Sequence, residues 1–180
     1  MTNELQRLDT SLTPAARRYL IVDQGIMAIG ANFLINYLVA WSSFRDVPVV
    51  PIEGSMSLIA DTEATCFFLP FLACLIVSHL TGFEIQRGRF PPLPQFRWLR
   101  ALGEYAAASA FPKAIFFGVI GRMALAPILV AFIRSLELQE MPLSTFLIVK
   151  GAIGAGLGLL FCPLFAWIAM HTDEPVKSRT

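Results

Sequence analysis

Apolar residues gather into four long runs along the chain, and polar residues fill the gaps between them. A hydrocarbon core about 30 Å thick takes roughly 20 residues of helix to cross. The stretches that meet this with charges thinned out are 19–41, 58–80, 112–133 and 146–170. They predict four transmembrane helices and divide the chain into a polar segment 1–18, a first hairpin 19–80, a connection 81–111, a second hairpin 112–170 and a tail 171–180. The expected fold class is all-α, a polytopic membrane protein built as a four-helix transmembrane bundle of two tandem parallel helical hairpins. The first run is full length, follows a polar start and has no small-residue cleavage site behind it, so it reads as a retained span rather than a signal peptide.

Helix punctuation refines the ends. Thr13 followed by Pro14 forms an N-cap with proline at the first helical position, so the first helix should open ahead of its apolar run. Arg89-Phe90-Pro91-Pro92-Leu93-Pro94 cannot be helical, because each proline also pushes its predecessor to extended geometry. Beyond it, Trp98 to Ala110 has helical composition, with Trp98, Leu99, Leu102 and Tyr105 placed to dip into a membrane interface and Arg97 and Arg100 placed near phosphates. A surface helix is expected there, with a plain solvated linker as the alternative. Pro70 and Pro163, near the middles of the second and fourth runs, should kink both helices.

Charge distribution adds an orientation. Arg7, Arg17, Arg18, Arg87, Arg89, Arg97, Arg100, Lys177 and Arg179 flank the runs on one side, whereas the connections on the other side hold only Arg45 and Arg134 among Asp46, Glu53, Glu137 and Glu140. Lys and Arg are retained on the cytoplasmic side, so both termini are expected to be cytoplasmic. Composition agrees with a bilayer as the chief partner, since 56% of residues are hydrophobic and only 15% charged. A formal net charge of +1 leaves no field to hold a nucleic-acid backbone. Cys66, Cys74 and Cys162 lie inside apolar runs and read as small buried hydrophobes, offering neither a disulfide framework nor a metal site.

Sliding the chain against itself shows a repeat. Ile29-Gly30 matches Ile120-Gly121, Leu34 matches Leu125, and Leu38-Val39-Ala40-Trp41 matches Leu129-Val130-Ala131-Phe132, all at one offset. At an offset larger by one or two residues, Phe68-x-Pro70 matches Phe161-x-Pro163 and Ile76-x-x-His79 matches Ile168-x-x-His171. Spans three and four thus read as a second copy of spans one and two, related by an axis along the membrane normal. The alternative is two independent hairpins of ordinary membrane composition.

Ionisable groups inside a membrane cost about 2.5 to 3.5 kcal/mol at a helix centre, which makes them candidates for function. Asp23 and Lys113 occupy nearly equivalent repeat positions near one face and could pair. Asp61 and Glu63 enter span two at the depth where Lys150 enters span four, so they could neutralise one another. Arg122 is the costliest, at mid-span, and is expected to face the bundle interior, held by Asn32 and Asn36, which share one face of span one. These six residues, Arg122, Asn32, Asn36, Asp61, Glu63 and Lys150, form the candidate intramembrane polar site, read either as structural glue or as a path for a polar or anionic solute. His79 and His171 end the even-numbered spans, but no further ligands accompany them and no haem, metal or other cofactor is expected. No motif for nucleophilic catalysis is present, so an enzyme is not expected. In span four, Gly151, Gly154 and Gly158 form a face that lets a neighbouring backbone come close, through packing within the chain or against another subunit.

Asn32-x-x-x-Asn36-x-x-x-Ala40-Trp41, then Val47-Pro48, then Asp61-Thr62-x-Ala64-Thr65-x-Phe67-x-Leu69-Pro70 resembles a group of small bacterial inner-membrane proteins with four predicted spans. The likeness covers the first hairpin and implies the bacterial cytoplasmic membrane, without a site or an activity. Two functions fit the pattern: a non-catalytic accessory or scaffold subunit, in a homo-oligomer or larger membrane complex, or a small oligomeric transporter or channel.

Overall fold

The computed structural model describes residues 12–93 and 110–171. Among them, four helices are long and apolar enough to cross a membrane: helix one (Pro14–Phe44), helix two (Leu58–Gln86), helix three (Ala110–Ser135) and helix four (Leu143–Met170). The protein is an all-α, multi-pass membrane protein. Each helix outruns its apolar stretch, because a helix ends where its backbone is capped rather than where hydropathy falls. Helix two spans 29 residues, about 43 Å at 1.5 Å per residue. The Ser57 side chain accepts from the Ala60 N–H at its start, and Gly88, at φ 74°, turns the chain away just past its end. Thr13 caps helix one as its sequence predicts, accepting from the Ala16 N–H, with Pro14 at the first position. The surface helix expected over 98–110 falls almost wholly outside the described residues, as do Arg7, Arg97, Arg100, Lys177 and Arg179.

Helix one is not α-helical throughout. Pro14–Arg18 and Met27–Phe44 are α, but Tyr19–Ile26 is a π-helix whose register closes with the Met27 N–H donating to the Val22 carbonyl. Nothing in the hydropathy pattern signals this segment.

The packing order runs between the two hairpins. Helix one packs on helix four, helix four on helix two, and helix two on helix three, while the sequence neighbours within each hairpin make no extensive contact. The two hairpins therefore interlock rather than sit side by side. Glycine faces decide the partners. A Cβ at Gly154 or Gly158 would fall 2.4 to 2.8 Å from the side-chain carbons of Asn36 or Asn32, and one at Gly151 would fall 2.7 Å from the Phe33 ring. Helix one thus lies in the groove of helix four. On the other flank, a Cβ at Gly121 would fall 2.6 Å from Pro70 Cγ, and one at Gly118 would fall 3.0 Å from the Phe67 ring, so helix three lies equally close to helix two.

At one end of the bundle two short strands, β1 (Val49–Pro51) and β2 (Glu140–Pro142), pair antiparallel with Val50 opposite Met141. The offset from Val50 to Met141 is the one that relates Ile29 to Ile120. Antiparallel pairing of equivalent segments about their central residues is what a two-fold axis through the ribbon produces. The helix contacts obey the same exchange, since swapping the hairpins turns the one-on-four contact into three-on-two. Two apolar clusters fill the interior. One, at the ribbon end, holds Phe44, Val50, Leu58, Met141 and Phe146; the other, toward the termini, holds Tyr19, Phe90, Phe161, Phe165 and Met170.

Candidate functional site

The six residues expected to form one polar site are divided among three places. Asp61 of helix two and Lys150 of helix four meet between the two apolar clusters, with Lys150 Nζ 2.6 Å from Asp61 Oδ2 and 3.0 Å from the Asp61 carbonyl. The ammonium also donates to Thr65 Oγ1, whose hydroxyl donates to the Asp61 carbonyl. Lys150 is 1% exposed, so its charge survives there only because one carboxylate and two neutral oxygens replace its water. One turn of helix two places Asp61 and Thr65 on the same face, which is why both reach the same ammonium. Beside them Thr62 Oγ1 is buried with no hydrogen-bond partner among the described residues.

Glu63 does not join this pair. It points to the other side of helix two and meets Arg122 of helix three, Nη2 to Oε2 at 3.1 Å. This corrects the expected position of Arg122. The guanidinium lies on the outer surface of the bundle, 59% exposed, and a carboxylate holds it rather than Asn32 and Asn36. The cause is local: Gly118 and Gly121 press helix three against helix two, and Arg122, one turn from Gly118 at the rim of that contact, reaches along it to Glu63. Asn32 and Asn36 are spent elsewhere. The Asn32 amide donates to the Ala28 carbonyl and lies 3.8 Å from Cys162 Sγ, and the Asn36 amide donates to the Asn32 carbonyl. Both amides thereby satisfy their own helix while filling the space over the helix-four glycines. An interior anion site at Arg122 is ruled out by this placement.

Sequence reasoning missed a further cluster, at the end where helix one begins and helices two and four finish. The Gln24 amide donates to Tyr19 Oη, which shares a hydrogen bond with Thr81 Oγ1. The i→i+5 bonding of the π-helix stacks Tyr19 and Gln24 on one side, where α geometry would turn them apart. Outside this network, Asp23 meets Arg89 at 2.7 Å rather than Lys113, and Arg89 also reaches Glu84 at 3.3 Å. The Asp23–Lys113 expectation fails because the chain past helix two folds back across helix one. There Phe90 packs on Tyr19, and the Leu93 N–H donates to the Met170 carbonyl. Desolvation of the Arg89 guanidinium works against its charge, and Asp23 and Glu84 outweigh it, leaving its pKa above the ordinary value. A signal was present: Gln24 is a strong amide inside a span, one residue from Asp23.

No family model, curated protein or solved structure matches the chain.

Cys66, Cys74 and Cys162 are buried and form no disulfide. His171 turns its Nδ1 to the Trp167 carbonyl at 2.8 Å, and His79 is exposed on helix two. Among the described residues, no three His, Cys, Asp or Glu side chains gather as metal ligands. Chemically, the arrangement holds helices: a buried ion pair joins helix two to four, an outer ion pair joins two to three, and amide-over-glycine packing joins one to four.

Proposed function

We propose that the protein is a non-catalytic subunit or scaffold of the bacterial cytoplasmic membrane, with both termini cytoplasmic, acting through helix packing. The observation that carries this reading is how its intramembrane polar groups are spent. Lys150 and Asp61 neutralise each other, and Asn32 and Asn36 sit over glycines, so the groups that could line a solute path serve helix contacts instead. Helix one supports it as well, because most of its surface, including Ile26, Met27, Leu34, Ile35 and Val39, is left uncovered by the other described residues. The basic residues flanking the terminal end support the orientation, and the resemblance of the first hairpin supports the bacterial membrane.

Purification of the tagged protein from native membranes in mild detergent tests the reading. A stable stoichiometric assembly is expected, together with proteoliposomes no more permeable to small anions than protein-free vesicles. Flux well above those vesicles would replace the scaffold with a transporter. For orientation, Glu137→Cys should react with a membrane-impermeant maleimide from outside; labelling only from the cytoplasm would reverse it.

A further inference from the structure

Arg122 lies at the middle of Ala110–Ser135, about 18 Å from either end of its helix. Its guanidinium reaches outward to Glu63, about 8 Å inside the start of helix two, and the two groups are 59% and 39% exposed on the outside of the bundle. An ion pair facing hydrocarbon keeps unsatisfied donors that lipid tails cannot bond, since Arg offers five N–H groups and one carboxylate oxygen takes only one of them here. The surface that carries the pair is continuous. Along helix two, Phe67 and Phe71 stack 5.9 Å apart at one-turn spacings from Glu63, and Phe71 meets Phe111 of helix three edge-on. Along helix three, Ile115 and Val119 are exposed on the stripe that ends at Arg122.

We propose that this face of helices two and three binds a second copy of the chain about a two-fold axis along the membrane normal. The argument is charge complementarity. The charged ends of Arg122 and Glu63 touch, so they share one depth, and rotation about the membrane normal preserves depth. Each copy then offers its arginine to the partner's carboxylate and its carboxylate to the partner's arginine, closing a ring of four alternating charges. A face with one cation and one anion at equal depth is self-complementary under this operation, and the resulting contact closes. The remaining N–H donors of Arg122 gain acceptors, and the Ile115–Val119 stripe gains apolar cover. The proposal names the partner of the packing role above and rests on that role.

The test is disulfide crosslinking in native membranes of full-length chains carrying Val119→Cys, with Ile35→Cys on the far flank as the control. Val119→Cys should give a dimer band on mild oxidation, and Ile35→Cys should give none. Arg122→Glu alone and Glu63→Lys alone each set like charges against one another and should lower the Val119→Cys dimer roughly a hundredfold. Co-expressed with different tags, these two variants should crosslink to each other at the wild-type level, because an all-acidic face then meets an all-basic one. That recovery also shows that both variants fold. No Val119→Cys dimer, or single variants that crosslink like wild type, would overturn the proposal. Absence of recovery, with each variant present at normal level, would also overturn it. A stoichiometric hetero-partner in place of the dimer would sink self-association while leaving the scaffold reading intact; a monomer with no partner would sink both.

Discussion

Gly154 shows how one missing methyl sets a helix partner. Its absent Cβ would fall 2.4 Å from Asn36 Cγ and 2.7 Å from Asn36 Cβ, so Asn36 cannot escape by rotating its amide. Gly154→Ala should therefore destabilise the bundle by about 1–3 kcal/mol, as overpacking does. Adding Asn36→Gly, which removes the Asn36 Cβ as well as its amide, should return part of that loss, whereas Gly156→Ala, with nothing within 4 Å, should be neutral or slightly stabilising. Thermal unfolding of the purified protein followed by fluorescence-detected gel filtration measures all three. Lys150 makes the opposite kind of case. Asp61→Asn leaves a buried ammonium without its counter-charge and should cost about 3–5 kcal/mol, while Asp61→Leu with Lys150→Met removes both charges and should melt close to wild type. If the double variant melted as low as the single one, the pair would be more than packing glue.

At the level of elements, the π-turns of helix one test whether local geometry holds the terminal end together. Tyr19 Oη is the shared point between Gln24 and Thr81, so Tyr19→Phe strands two buried polar groups and should lower stability by about 1–3 kcal/mol. Gln24→Leu with Thr81→Val removes the need for that hydroxyl and should lose less than the sum of its parts, read in the same melting assay. These elements also mark how far the sequence could be read. The four spans and the Thr13–Pro14 start were legible because hydropathy and capping are local properties of consecutive residues. The π segment was not, because the same residues satisfy an α pattern, and the Thr81 and Phe90 contacts that accompany the wider turn come from far along the chain. The three-residue strands were hidden for a similar reason, as Val49–Pro51 gains its form from Glu140–Pro142 across the repeat. Asp61–Lys150 was legible from depth along two parallel spans that begin on the same side. Arg122 was misplaced because depth was counted along each helix separately, and the long side chains of Arg122 and Glu63 bridge the turn that separates them.

For the whole molecule, the decisive fact is that, among the described residues, every extensive contact between helices crosses between the two halves of the chain. Helix one meets four, four meets two, two meets three, and β1 meets β2; none of these joins elements of the same hairpin. A hairpin by itself would leave its glycine faces, Gly118 and Gly121 or Gly151, Gly154 and Gly158, without the side chains that fill them. The first half alone would hold Asp61 without Lys150, and the second half alone Lys150 without Asp61. Cutting the chain in the connection between Leu93 and Ala110 should therefore yield two fragments that are each degraded or aggregated when expressed singly. Co-expressed, they should reassemble, because the cut removes one covalent link and none of these contacts. Affinity capture of one tagged fragment should recover the other in equal amount, and Asp61→Arg in the first fragment should abolish the recovery. Independent folding of either fragment at normal membrane level, with no capture of the other, would mean that the hairpins are separate units after all.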